Sequence, residues 1–228
     1  MFQQLRSYFS IFEIGLWCCS VVLTILSFVV FDRENYIMLA ASVIGATYLI
    51  FNAKGNPIGQ VLLVIFSILY GIISYRFSYY GEMVTYLGMS TPMAVLALIA
   101  WMRNPYDGNR SEVKINSLRK QEYFFMFVLT AVITFLFYFI LKFFHTANLI
   151  PSTASVSTSF LAVYLTLRRS RYFTLAYAAN DMILIYLWML ATSSDMTYMS
   201  VTVCFVMFLV NDLYGFINWT KIQKKQNQ

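Results

Sequence analysis

Apolar residues run along the chain in eight long blocks, at about 8–31, 36–52, 57–76, 83–101, 123–144, 149–167, 172–191 and 196–219, separated by short polar connections. Each block approaches the roughly 20 residues that a helix needs to cross the hydrocarbon of a bilayer. The pattern predicts an all-α integral membrane fold with about eight transmembrane helices. The first block has the position of a signal peptide. Only Arg6 precedes it, however, its apolar run is too long, and Phe31-Asp32-Arg33 does not resemble a small-residue cleavage site, so it reads as a helix. The longest polar connection, "RNPYDGNRSEVKINSLRKQE" at 103–122, carries turn signals at Asn104-Pro105 and Asp107-Gly108 and reads as a loop too short to fold alone.

Composition agrees: 60% of the residues are hydrophobic and 11% are charged, against roughly 45–50% and 25% in a soluble domain. Mean hydropathy is +0.66. Lys and Arg are placed unevenly about the blocks. One side holds 13 of them (Arg6; Lys54; Arg103, Arg110, Lys114, Arg119, Lys120; Arg168, Arg169, Arg171; Lys221, Lys224, Lys225), and the other holds 3 (Arg33, Arg76, Lys142). Positive loops stay cytoplasmic, so both termini are expected inside a cell membrane crossed an even number of times. The net charge of +6 is thereby explained by topology, with no nucleic-acid partner required; anionic lipid headgroups are the partners these loops attract. Cys18, Cys19 and Cys204 lie in apolar blocks without CxxC spacing and read as small hydrophobes, and His145 as an interfacial side chain.

A weak internal repeat is visible. Trp101-Met102-Arg103 and Trp219-Thr220-Lys221 are 118 residues apart, and the same offset carries Tyr70 onto Trp188. The repeat unit is then three helices long, and one further helix is needed to restart the second unit in the same orientation. The division that follows places an N-terminal helix in 1–35, a first three-helix bundle in 36–104, a cytoplasmic loop and linker helix in 105–148, and a second three-helix bundle with a basic tail in 149–228. Parallel repeats of this kind belong to transporters that bind substrate near the midplane, between the bundles.

Polar residues inside the blocks mark the candidate site. Asn180 and Asp181 fall at the centre of the seventh block, where a carboxylate is expensive unless it faces the protein interior or a watery cavity. Tyr177, Asp181 and Trp188 share a helical face, a wall suited to a planar cationic ligand. In the last block Asn211, Tyr214, Gly215 and Asn218 recur at i, i+3, i+4 and i+7 with Asp212 beside them, and in the third Gln60, Ser67, Tyr70, Gly71 and Ser74 form another polar face. Hydrogen bonds between helices and close packing explain many such residues equally well. Trp101 and Trp219, near helix ends, read as interfacial anchors. No P-loop, HExxH or GxSxG is present and His145 has no acid or nucleophile at useful spacing, so no enzyme, cofactor or metal site is predicted.

Three stretches, "GMSTPMAVLALIAWMRNP" (88–105), "LAYAANDMILIYLW" (175–188) and "FLVNDLYGFINWTKIQ" (208–223), resemble the PnuC family of bacterial nicotinamide riboside transporters, and the likeness runs from about residue 36 onward. The resemblance implies two parallel three-helix bundles joined by a linker helix, as in SWEET sugar transporters, with an added N-terminal helix. It implies facilitated uptake of nicotinamide riboside, an NAD precursor, with trapping by a separate intracellular kinase, and assembly as a homotrimer. The pyridinium ring, amide and ribose would be met by aromatic faces, Asp181, and the amides of Asn180, Asn211 and Gln60. Where members tied most firmly to nicotinamide riboside are richer in tryptophan, this chain has Tyr172 and Tyr177. Thiamine or riboflavin therefore stays open as the vitamin carried, as does proton coupling through Asp181 or Asp212. From another class, a substrate-binding subunit of a multi-component importer stays open too. Eight spans and the lack of any two alanines four apart speak against it.

Overall fold

In the computed structural model, residues 8–76 and 80–228 are described; Arg6 lies outside them. Among the described residues eight helices are long and apolar enough to cross a membrane: α1 (Ile11–Phe31), α2 (Tyr36–Ala53), α3 (Pro57–Arg76), α4 (Tyr80–Met102), α5 (Lys120–Phe143), α6 (Leu149–Leu167), α7 (Phe173–Thr192) and α8 (Met196–Gln226). The chain is a multi-pass, all-α membrane protein.

Local chemistry sets the helix ends. Ser10 caps α1: its Oγ accepts the Glu13 N–H at 3.2 Å while Glu13 Oε2 accepts the Ser10 N–H at 2.7 Å, a reciprocal arrangement that satisfies two otherwise orphaned donors. The α2–α3 turn closes on Gly55 in the left-handed region, φ 68°, a conformation that glycine adopts without steric penalty. The middle of α4 is a π-helical segment, Thr85–Ser90. Pro92 explains it, because proline lacks an N–H and crowds the carbonyl four residues back. The widened turn is stabilised by the Thr91 hydroxyl, which donates to Tyr86 O at 2.9 Å.

The polar stretch after α4 is more ordered than the loop expected from sequence. Asp107 and Gly108, both at positive φ (49° and 73°), form the two-residue turn that such angles favour. This turn joins β1 (Pro105–Tyr106) to β2 (Asn109–Val113) in an antiparallel hairpin. The stretch also clasps the helix ends around it. Val113 N–H donates to Gly55 O at 2.9 Å and Asn116 N–H to Arg169 O at 3.0 Å, and Ile115 N–H donates to Gln226 Oε1 at 2.8 Å. These contacts account for the extension of α8 to Gln226, beyond the 219 expected.

Helices α2, α3 and α4 pack in series, as do α6, α7 and α8; α8 lies against α2, and α4 against α6. Around this six-helix core α1 rests on α2 and α8, and α5 rests on α6. The outward face of α5 carries Phe124, Phe127, Phe135 and Phe139, all exposed, as expected of a surface solvated by lipid. Trp101 and Trp219 are not interfacial anchors: both are 0% exposed. Trp101 Nε1 donates to Thr166 O at 2.9 Å and Trp219 Nε1 to Asn52 O at 2.7 Å. A buried indole is stable only when its N–H finds such an acceptor.

Candidate functional site

Asp181 on α7 and Asp212 on α8 are buried acids of the six-helix core, 4% and 3% exposed, and their carboxyl groups are hydrogen-bonded to each other. Asp181 stands about 12 Å and 17 Å from the two ends of α7, at about 1.5 Å per residue. A hydrogen bond between two carboxyl groups needs a proton on at least one of them, so the pair carries at most one negative charge. Among the described residues Asp181 Oδ2 has no hydrogen-bond partner outside the acid pair.

A cavity of about 30 Å³ adjoins this pair. All six core helices contribute to its wall: Tyr48 from α2; Leu63, Phe66 and Ser67 from α3; Tyr86 and Ser90 from α4; Ser159 and Val163 from α6; Tyr177, Asn180 and Asp181 from α7; Phe205 and Phe208 from α8. The rings form a continuous cage, with Tyr48–Phe66 centroids 5.5 Å apart, Phe66–Phe208 5.7 Å and Phe205–Phe208 5.5 Å. Among the described residues no lysine, arginine or histidine lines it. Ser67 Oγ is buried and without a hydrogen-bond partner among the described residues. Buried polar atoms are normally satisfied, so Ser67 Oγ, Tyr177 OH and the acid pair are the groups available to a guest. A volume of this size is about that of one water, so a larger guest enters only when the surrounding helices move apart.

The cavity is closed on the hairpin side by Trp101, Trp219, Phe173 and Val113, all at most 1% exposed. Phe173 and Trp219 centroids lie 4.8 Å apart and Phe173 and Tyr177 6.1 Å, so this plug continues into the cavity wall. On the opposite side the Tyr70 ring lies tilted against Tyr86 at 4.4 Å and edge-to-face with Phe205 at 6.1 Å. Beyond that layer a second cavity of about 440 Å³ opens between the ends of α6 and α7, with Leu184 and Trp188 in its wall.

The residues expected from sequence divide accordingly. Ser67, Tyr177, Asn180 and Asp181 line the inner cavity, Asp212 adjoins it through Asp181, Tyr70 belongs to the layer above it, and Trp188 lines the outer one. Asn180 is partly committed to packing: its Oδ1 accepts from Ser155 Oγ (3.2 Å), Thr158 Oγ1 (2.9 Å) and Ser159 Oγ (3.0 Å) on α6.

Gln60, Asn211 and Tyr214 are not brought to either cavity. Gln60, 0% exposed, donates from Nε2 to Asn52 Oδ1 at 2.9 Å and joins α3 to the end of α2. Asn211 Nδ2 donates to Ser20 Oγ on α1 at 2.8 Å. Tyr214 OH donates to Glu13 Oε1 on α1 at 2.7 Å, and Lys54 Nζ completes the group 3.4 Å from Glu13 Oε2. The polar face of α8 therefore docks α1 onto the core. Asp212 follows Asn211 by about 100° around the helix, and that rotation separates the docking face from the cavity face.

Sequence reasoning missed Tyr48, Phe66, Tyr86, Phe205 and Phe208. A signal exists for two of them, since Phe205, Phe208 and Asp212 follow one another at i, i+3 and i+7. Tyr86 had none, because a π turn resets the helical phase.

A family profile described as Nicotinamide mononucleotide transporter matches residues 35–221. A protein from Neisseria mucosa named Nicotinamide riboside transporter PnuC is 26% identical over 204 residues, 87% of this chain and 77% of that protein. The Haemophilus influenzae protein of the same name is 22% identical over 226 residues, 99% of this chain and 96% of that protein. A solved structure, described as the crystal structure of the vitamin B3 transporter PnuC, aligns with a TM-score of 0.83 at 25% identity and covers 96% of this chain and 94% of that one.

Proposed function

Because the chain belongs to the nicotinamide mononucleotide transporter family, we propose that it mediates facilitated uptake of nicotinamide riboside across the cell membrane. The observation that carries the reading is the Asp181–Asp212 pair inside an aromatic cage that no basic side chain lines. Nicotinamide riboside is a planar pyridinium cation with an uncharged sugar. Aromatic faces and one negative charge suit it. The mononucleotide adds a phosphate, and a phosphate needs basic partners that the cage does not offer. The nucleoside is therefore the substrate we assign, as in the names of the two relatives.

In this reading 36–104 and 149–228 are two three-helix halves, 105–148 supplies hairpin and linker, and residues 1–35 supply α1. The halves rock about the cage to open it first to one side and then to the other. The reciprocal tryptophan bonds, α4 to α6 and α8 to α2, support this two-fold plan. Both termini are cytoplasmic, because the hairpin end gathers Lys54, Arg103, Arg168, Arg169 and Lys221. A separate kinase retains the product inside, and the chain works as a homotrimer, which crosslinking in membranes tests.

Uptake of labelled nicotinamide riboside into proteoliposomes tests the function. The account expects substrate to equilibrate with or without a protonophore and the mononucleotide to compete poorly. Preferential uptake of the mononucleotide, thiamine or riboflavin would overturn the assignment.

A further inference from the structure

The larger cavity, about 440 Å³, has no role in the account so far. It falls within the roughly 300–1,000 Å³ of small-molecule sites. Its wall joins the start of α4 (Glu82), the turn into α6 (Thr146, Asn148) and the α7–α8 corner (Trp188, Asp195, Tyr198). The Trp188 and Tyr198 rings lie with centroids 5.5 Å apart, tilted by 40°. Glu82 makes no hydrogen bond or ion pair among the described residues. Asp195 is held below the usual aspartate range by hydrogen bonds from Thr197, its backbone N–H first, so it stays charged. Among the described residues no lysine, arginine or histidine lines this cavity either.

The two cavities share one helix face. Asp181, Leu184 and Trp188 follow at i, i+3 and i+7 on α7, which places Trp188 about 10 Å above Asp181. Acidic side chains at the mouth of a low-dielectric passage concentrate cations and raise association rates, by about 10- to 1,000-fold in favourable cases.

Resting on the transport reading above, we propose that this vestibule is a second, weaker binding site, in which a cationic heteroaromatic molecule lies on Trp188 with its charge beside Glu82 and Asp195 before it passes to the mid-bundle cage. Trp188 supplies the stacking face, Glu82 and Asp195 the charge, and the α7 face the route inward. The layer of Tyr70 and Tyr86 separates the two sites, so each can be filled while the other is not.

The probe is 1-methylnicotinamide, a small pyridinium cation that quenches indole fluorescence on contact, titrated into the purified full-length wild type, Trp188→Phe and Glu82→Gln. Saturable quenching is expected in the wild type, loss of most of it in Trp188→Phe, and a dissociation constant about tenfold higher in Glu82→Gln. Quenching unchanged by both substitutions would overturn the proposal. Nicotinamide riboside uptake by the wild type is measured beside it. Uptake without Glu82-dependent quenching sinks the vestibule alone. Glu82-dependent quenching without uptake sinks the substrate assignment and leaves the vestibule as a cation site.

Discussion

Trp101 and Trp219 lie with ring centroids 5.4 Å apart, and each donates its indole N–H to a carbonyl in the first helix of the other three-helix set: Trp101 to Thr166 and Trp219 to Asn52. The exchange is reciprocal, so the two sets are latched at the hairpin end by equivalent bonds. The latch sits directly beneath the cage, through Phe173 and Tyr177. Opening toward that end requires it to separate.

Replacing Trp219 by Phe keeps one aromatic ring, removes the donor and leaves a buried Asn52 carbonyl without it, with a small void where the indole's second ring stood. A loss of about 1–3 kcal/mol is expected, seen as a thermal midpoint lowered by about 2–10 °C for a chain of this size. Trp101→Phe should behave alike. An unchanged midpoint in both variants, read by thermal unfolding in detergent, would show that the latch contributes nothing.

Tyr214 serves α1 rather than substrate. Tyr214→Phe removes a hydrogen bond to the Glu13 carboxylate, worth about 1.5–3 kcal/mol, and should lower the thermal midpoint while leaving the KM for nicotinamide riboside as it was. Glu13→Gln should do the same. A raised KM at normal stability would return Tyr214 to the transport pathway.

Gly45 on α2 packs directly against Phe208 of α8: a Cβ there would stand 2.2 Å from Phe208 Cζ. Gly45→Ala drives Phe208, a cage residue, out of position, at about 1–3 kcal/mol for overpacking. The double variant Gly45→Ala/Phe208→Leu, with a smaller side chain facing the new methyl, should recover most of the stability. Equal melting of the single and double variants would deny that Phe208 is the group displaced.

The eight spans were legible because a bilayer demands long apolar helices, and length alone then fixes their number. Asp181 was legible for the same reason, since a mid-membrane acid needs an explanation. The assignment of Asn211 and Tyr214 failed because composition cannot say which neighbour a polar stripe meets: their partners, Ser20 and Glu13, are about 200 residues away in sequence. Trp101 and Trp219 were misread as anchors because a buried indole and an interfacial one look alike until the acceptor is seen. The hairpin was hidden by brevity, two and five residues per strand, although Asp107-Gly108 announced its turn.

The central claim is that the Asp181–Asp212 pair provides the negative charge for a cationic nucleoside. Isothermal titration of nicotinamide riboside into purified wild type, Asp181→Asn and Asp212→Asn, with melting temperatures measured alongside, tests it most directly. The account predicts binding by the wild type, affinity at least about tenfold weaker in Asp181→Asn, or about 1.4 kcal/mol, and a melting temperature that does not fall. Wild-type affinity in both folded variants would contradict it.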